Sequence, residues 1–138
     1  MDLDDPVTLD KIIAEAIDAE KLERRDKEGE KLIYAPNQQR PFTGWVKMVY
    51  DNGQIMSLAR YRDGKLDGPA GMWDEDGQKS SEWTYKDEKL TTIVAWKPNG
   101  ENCPDTNVVN GNGVWVRYKN DGEEDGRVIF KNGEIVLD

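Results

Sequence analysis

Four glycines recur at nearly constant spacing, and that recurrence limits the folds open to this chain more than any other feature. Gly53, Gly77, Gly100 and Gly122 are separated by 24, 23 and 22 residues. Four positions before them stand Val49, Trp73, Trp96 and Tyr118, and one before stand Asn52, Asp76, Asn99 and Asp121. Gln54, Gln78, Glu101 and Glu123 follow directly, and eight positions on come Tyr61, Tyr85, Val108 and Phe130. A second turn signal then appears at Asp63-Gly64, Asp87-Glu88, Asn110-Gly111 and Asn132-Gly133. Spacing inside each unit is fixed, so the variation in length falls in the links. Asn-Gly and Asp-Gly between β-prone runs mark hairpins, because both central residues of a type I′ turn need φ > 0. Seven of the eight turn sites carry that dipeptide, Asp87-Glu88 being the exception. Two turns per unit leave strands of about six to eight residues. The expected fold is mainly β: an elongated antiparallel meander of repeated hairpins in a single sheet, with a short N-terminal helix. Gly53, Gly64, Gly77, Gly100, Gly111, Gly122 and Gly133 are read as structural turn residues.

The chain divides into an acidic leader, residues 1–33, and a repeat domain, residues 34–138, with units at about 41–67, 68–90, 91–112 and 113–138. Residues 1–30 carry 11 acidic and 5 basic side chains, so two thirds of the excess negative charge lies there. Leu9, Ile12, Ile13, Ala16 and Ile17 recur at helical spacing behind Asp5-Pro6, an acceptor at the cap and a proline in the first turn. This pattern predicts an amphipathic helix over 7–20, covering one end of the sheet. Residues 21–33 read as a weak, charged edge hairpin around Asp26–Gly29 that, with Asp138, blunts the open edges of the sheet. Tyr34-Ala35-Pro36-Asn37-Gln38 parallels Trp96-Lys97-Pro98-Asn99-Gly100 as a fragment of the repeat.

Alternation along the second strand of each unit points to one dry face. Ser57, Ala59 and Tyr61, then Ser81, Trp83 and Tyr85, then Pro104, Thr106 and Val108, then Gly126, Val128 and Phe130 form a small-then-aromatic set. The opposite parity, which includes Cys103, is mostly polar. In the first strands Val46, Met48, Ile93, Ala95 and Trp115 lie on the parity opposite Trp73, Trp96 and Tyr118, so alternation alone assigns no face there. A lone hairpin is marginal in water, so the units must stack to bury their aromatics.

Composition narrows the chemistry. Of 138 residues, 28 are acidic and 19 basic, for a net charge of −9, which argues against nucleic acid and anionic membrane surfaces as partners. There is no histidine and one cysteine, Cys103. His-dependent triads, His-ligated zinc, intrachain disulfides and Cys-rich metal sites are therefore excluded. No apolar run approaches the length of a membrane-spanning helix. Asp74-Glu75-Asp76 and Glu123-Glu124-Asp125 lack the alternating ligands of a calcium loop and read as solvated turns. No glycine-rich loop leads into Lys-Ser or Lys-Thr, so nucleotide binding is rejected. No catalytic, cofactor-binding or metal-ligating residue is assigned, no cofactor is expected, and the chain is read as a non-enzyme. Five tryptophans recur along the repeat, and Trp45 and Trp115 are the candidates for a surface aromatic track.

Tyr50-Asp51-Asn52-Gly53-Gln54, Tyr61-Arg62-Asp63-Gly64-Lys65-Leu66-Asp67-Gly68 and Asp76-Gly77-Gln78 through Tyr85-Lys86-Asp87 resemble the MORN-repeat variant of bacterial YwqK-type antitoxin modules. The likeness covers roughly residues 34–138 and is closest over 41–90; afterwards Glu88 stands in place of the turn glycine and Asn102–Asn107 departs from the pattern. It implies a repetitive β-sheet without enzymatic activity that binds other proteins, and relatives of this type are often exported or lipid-anchored. The first expectation is a protein-interaction scaffold or adaptor, with a protein partner and no small-molecule ligand or membrane insertion. An antitoxin or immunity protein neutralising a toxic enzyme is the alternative, and carbohydrate or cell-wall binding through exposed tryptophans a second. As the sequence stands the location is cytoplasmic, or the bacterial envelope if a signal segment preceded Met1.

Overall fold

The computed structural model describes residues 3, 5–27, 29–119 and 121–136. Helix α1 (Pro6–Glu15) is followed by β1 (Ile17–Asp18), a 3-10 turn over Ala19–Lys21, and a hairpin of β2 (Glu23–Lys27) and β3 (Glu30–Tyr34). The repeat strands are β4 (Gly44–Val49), β5 (Ile55–Arg62), β6 (Lys65–Trp73), β7 (Lys79–Lys86), β8 (Lys89–Ala95), β9 (Asn107–Val109), β10 (Asn112–Tyr118), β11 (Glu124–Lys131) and β12 (Glu134–Ile135). They form one ten-stranded sheet in the order β1-β4-β5-β6-β7-β8-β9-β10-β11-β12. All its pairings are antiparallel except β1 on β4, where Ile17 and Asp18 lie parallel to Val46 and Lys47. The chain is thus a long, mainly antiparallel meander with one short N-terminal helix.

The two series of turns differ in geometry, although both carry Asx-Gly. In the series at Gly53, Gly77 and Gly100 the glycine takes φ of 87 to 91° while Asn52, Asp76 and Asn99 do not enter the left-handed region. These are three-residue loops ending in a left-handed glycine, not type I′ turns. The Asx side chain serves as an acceptor instead: the N–H groups of Gln54, Gln78, Glu101 and Glu123 donate to the side-chain oxygens of Asn52, Asp76, Asn99 and Asp121 at 2.9 to 3.0 Å. The second series has positive φ at both residues, Asp63 and Gly64, Asp87 and Glu88, Asn110 and Gly111, Asn132 and Gly133, as type I′ requires. These tight turns are stitched to the backbone roughly one repeat upstream. Gly64, Glu88, Gly111 and Gly133 donate their N–H groups to the carbonyls of Phe42, Leu66, Thr91 and Gly111 at 2.8 to 2.9 Å.

A bulge interrupts the register between Met48 and Val49, Met72 and Trp73, and Arg117 and Tyr118, the same place in three units. Bulges increase local twist. One row of partners nevertheless runs unbroken across eight strands: Val46, Ala59, Ala70, Trp83, Ile93, Val108, Gly113 and Phe130. Beside it runs a second, of Met48, Ser57, Met72, Ser81 and Ala95. Both strands of a unit therefore contribute small or apolar residues to this face. The rings of Trp83 and Phe130 lie 6.2 Å apart, although strands four steps apart in a flat sheet stand about 19 Å away. The sheet curls toward this face.

Near the N-terminus the opposite face is dry as well. There α1 lays Ile12 and Ala16 over Trp45, Leu58 and Trp73, and Gly71 leaves room for the Trp73 ring, which a Cβ would meet at 2.7 Å. Asp5 caps the helix, accepting from the Thr8 hydroxyl at 2.6 Å, with Pro6 in the first turn. The helix ends at Glu15, short of the expected 20, because Ile17 is drawn into extended pairing with β4. The β2–β3 hairpin forms, but as a separate two-stranded sheet and not as an edge of the main one. Its Ile33 N–H donates to the Gly64 carbonyl at 3.2 Å, and Phe42 N–H donates to the Ile33 carbonyl at 2.9 Å. Residues 35–38 make a turn like that at 97–100, Gln38 N–H donating to the Ala35 carbonyl, but with Asn37 in the left-handed region. Asp138, expected to blunt an edge, lies outside the described residues.

The third unit is irregular. β8 and β9 share only the Ile93–Val108 pair, and Trp96–Asn102 is an isolated bridge. Cys103, placed by alternation on the wet side, is fully buried with Ala95 and Val116. Its sulfur lies 3.1 Å from the Tyr118 hydroxyl, while the Thr106 hydroxyl accepts from Val116 N–H at 2.9 Å.

Candidate binding groove

Where the curled face meets the β2–β3 hairpin it forms a half-open groove of about 360 Å³. Its floor is made by Ser57 and Ala59 of β5 and Ala70 of β6, the small members of the alternating set. Trp83 and Tyr85 of β7 form one wall; Ala19, Leu22 and Ile33, from the 3-10 turn and the hairpin, form the other. Small residues beneath large aromatic ones leave a trough that no side chain of the sheet fills. Met48 and Met72 stand at one end, 47 % and 36 % exposed. A thioether chain adapts readily to the shape of whatever packs on it.

The other end is polar. Tyr61 and Tyr85 lie toward the tight turns, and Arg24, paired with Ile33 across the hairpin, lines the groove with them. Burial pushes both tyrosines above their ordinary pKa; at Tyr61 the Arg24 charge opposes this and the Glu88 charge adds to it. Trp83 is fixed from two sides. Its indole N–H donates to the Ser81 hydroxyl at 2.7 Å, and its ring stacks on Tyr85 and meets Trp115 edge to face at 4.7 Å. The aromatic wall is preorganised.

Beyond Met72 the same face continues into a second cleft of about 230 Å³, lined by Trp96, Trp115, Tyr118, Asp74 and Asp125 among others. Burial, with the Asp76 charge, raises the pKa of Asp74. The carboxylates of Asp74 and Asp125 make no hydrogen bond or ion pair with any described residue.

The two tryptophans chosen from the sequence part company here. Trp45 is 6 % exposed beneath α1 and cannot serve as a surface aromatic; its indole N–H is buried without a partner among the described residues. Trp115 is half-buried, lines the second cleft and carries the Arg117 guanidinium 5.8 Å above its ring. The seven turn glycines all take φ between 80 and 91°. Among the described residues no three or more His, Cys, Asp or Glu side chains gather as a metal site, and no helix is long and apolar enough to cross a membrane. Sequence reasoning missed Met48, Met72 and Arg24 as groove residues. Tyr61 and Tyr85 had a usable signal, the same repeat position in consecutive units; Arg24 had none, because its place depends on how the hairpin folds back. No family model, curated protein or solved structure matches this chain.

Proposed function

We propose that this chain is a non-enzymatic protein-interaction module, built from MORN-like repeats of YwqK type, which takes up a segment of a partner protein in the groove between β5–β7 and the β2–β3 hairpin. The observation that carries this reading is the groove itself: a preformed apolar trough with rigid aromatic walls and two exposed methionines at its mouth. Such features are the usual anchors of protein recognition. The absence of histidine from the chain fits a role without acid–base chemistry.

A photo-crosslinking residue at Met48 tests the reading in cells of the source organism. A discrete protein adduct from Met48, absent when the same residue replaces Glu134, is the expected result. No adduct from either position overturns it. An antitoxin is the special case in which the partner is a toxic enzyme; with a basic partner, binding would weaken with added salt. Carbohydrate binding is the second reading, favoured by the cleft in which Trp96 and Trp115 meet the unpaired Asp74 and Asp125. A flat tryptophan-emission titration across cell-wall glycans removes it.

A further inference from the structure

The groove has two chemically different ends, and the polar one is unsatisfied. Arg24 makes no ion pair or hydrogen bond with a described residue, whereas Arg25, Arg62, Lys65 and Arg127 each face a carboxylate. The hydroxyls of Tyr61 and Tyr85 are likewise without a described partner. One guanidinium and two phenol hydroxyls thus converge as unused donors at the end of an apolar trough, in a chain that is otherwise strongly acidic. Three donors, one of them cationic, match a carboxylate.

Distance limits where that carboxylate can sit on its carrier. Tyr61 and Ala59 are two residues apart on β5, about 7 Å, so the anionic group lies next to the apolar one. The hairpin is bonded onto the Asp63-Gly64 turn through Ile33 and stands across that end. A chain entering from the Met48–Met72 mouth therefore stops there. We infer that the bound segment is the C-terminus of a partner protein, ending in a large apolar residue whose side chain lies on the Ala59–Ala70 floor and whose terminal carboxylate is held by Arg24, Tyr61 and Tyr85. This inference rests on the docking role proposed for the groove and names the chemistry of what docks. Glu88, whose charge bears on Tyr61, is the group that opposes it.

The test uses the full chain and acetylated pentapeptides, Gly-Ser-Ala-Leu followed by Phe, Leu, Ile, Val or Trp, each as free acid and as carboxamide. Binding is read by amide chemical shifts and tryptophan emission. The free acid of at least one peptide should bind roughly tenfold or more tighter than its amide, a charge-assisted effect. Arg24→Gln, at an exposed position, should close that gap by weakening the acid far more than the amide, and Glu88→Gln should widen it. Equal binding of acid and amide overturns the carboxylate assignment and leaves the docking role standing. Preference for the acid that survives Arg24→Gln overturns it too. If no peptide binds in either form, the docking role of the groove falls, and the inference with it.

Discussion

Glu88 occupies the second position of a type I′ turn with φ of 72°, where the three equivalent turns have glycine. A side chain in the left-handed region costs roughly 1–2 kcal/mol. The neighbouring units show how little room these turns leave: a Cβ at Gly111 would stand 2.5 Å from the Gly133 nitrogen, and one at Gly133 would stand 2.9 Å from the Leu90 carbonyl. Glu88→Gly should stabilise the protein by about 1 kcal/mol, the strain released less the entropy a glycine restores to the unfolded chain. Urea unfolding checks this, and a lower midpoint would show that the strain lies elsewhere. Tyr118 gives a pH-dependent counterpart. Its hydrogen bond to Cys103, with burial adding, raises the phenol to about 12, while in the unfolded chain it titrates near 10. Between about pH 10 and about pH 12 the unfolded chain therefore releases a proton that the folded one keeps. The contribution is intact below that window and fades as pH rises through it. Tyr118→Phe should lose less stability than the parent between about pH 9 and about pH 11.5, measured by urea unfolding; parallel slopes would show that the phenol is not held neutral by the fold.

Elements were legible wherever glycine or proline fixes the backbone, and less so wherever tertiary packing decides. Both turn positions of every unit could be read because only a few residues tolerate φ > 0, yet identical Asx-Gly pairs gave two geometries. What separates them is whether the Asx side chain turns back to accept from the residue after the glycine, which the dipeptide does not encode. Alternation located the dry face of β7 and β11 but missed that β5 is dry on both faces, Leu58 packing under α1, and it left the first strands open, because Trp73 and Trp45 are covered by a helix from outside the repeat. That helix was placed correctly at its capped start and overextended at its end, since the extended pairing of Ile17 overrides its apolar periodicity. The groove was not visible at all; its floor is local, but its second wall comes from a hairpin read as an edge. Helix α1 carries a test of its own. Ile12, 3 % exposed, is its buried anchor over Trp45, Leu58 and Trp73. Ile12→Ala should cost about 3 kcal/mol and shift tryptophan emission to the red as the two indoles wet. A loss under about 1 kcal/mol would mean that the helix contributes little to covering the sheet.

Across the whole molecule the core is divided and not shared. One cluster lies under α1, another gathers Leu90, Ile93, Val108, Val128 and Phe130 on the curled face, and a third joins Ala95, Cys103 and Val116. The first and second belong to opposite faces of the sheet, so no buried side chain among the described residues belongs to both. Continuity is carried by the backbone ladder and by the row of small and aromatic residues passing through Ala70 and Trp83. Where buried clusters do not share side chains, openings are free to stay local. Val108 is buried at the weakest joint, where β8 and β9 share a single pair. Val108→Ala should therefore reduce amide-exchange protection mainly in β8–β11, by about tenfold for a cost near 1.4 kcal/mol, while β4–β6 keep most of theirs. Ile12→Ala should do the reverse. Equal loss of protection along the entire sheet in both variants would mean that the ladder alone makes the ten strands one cooperative unit, in spite of the divided core.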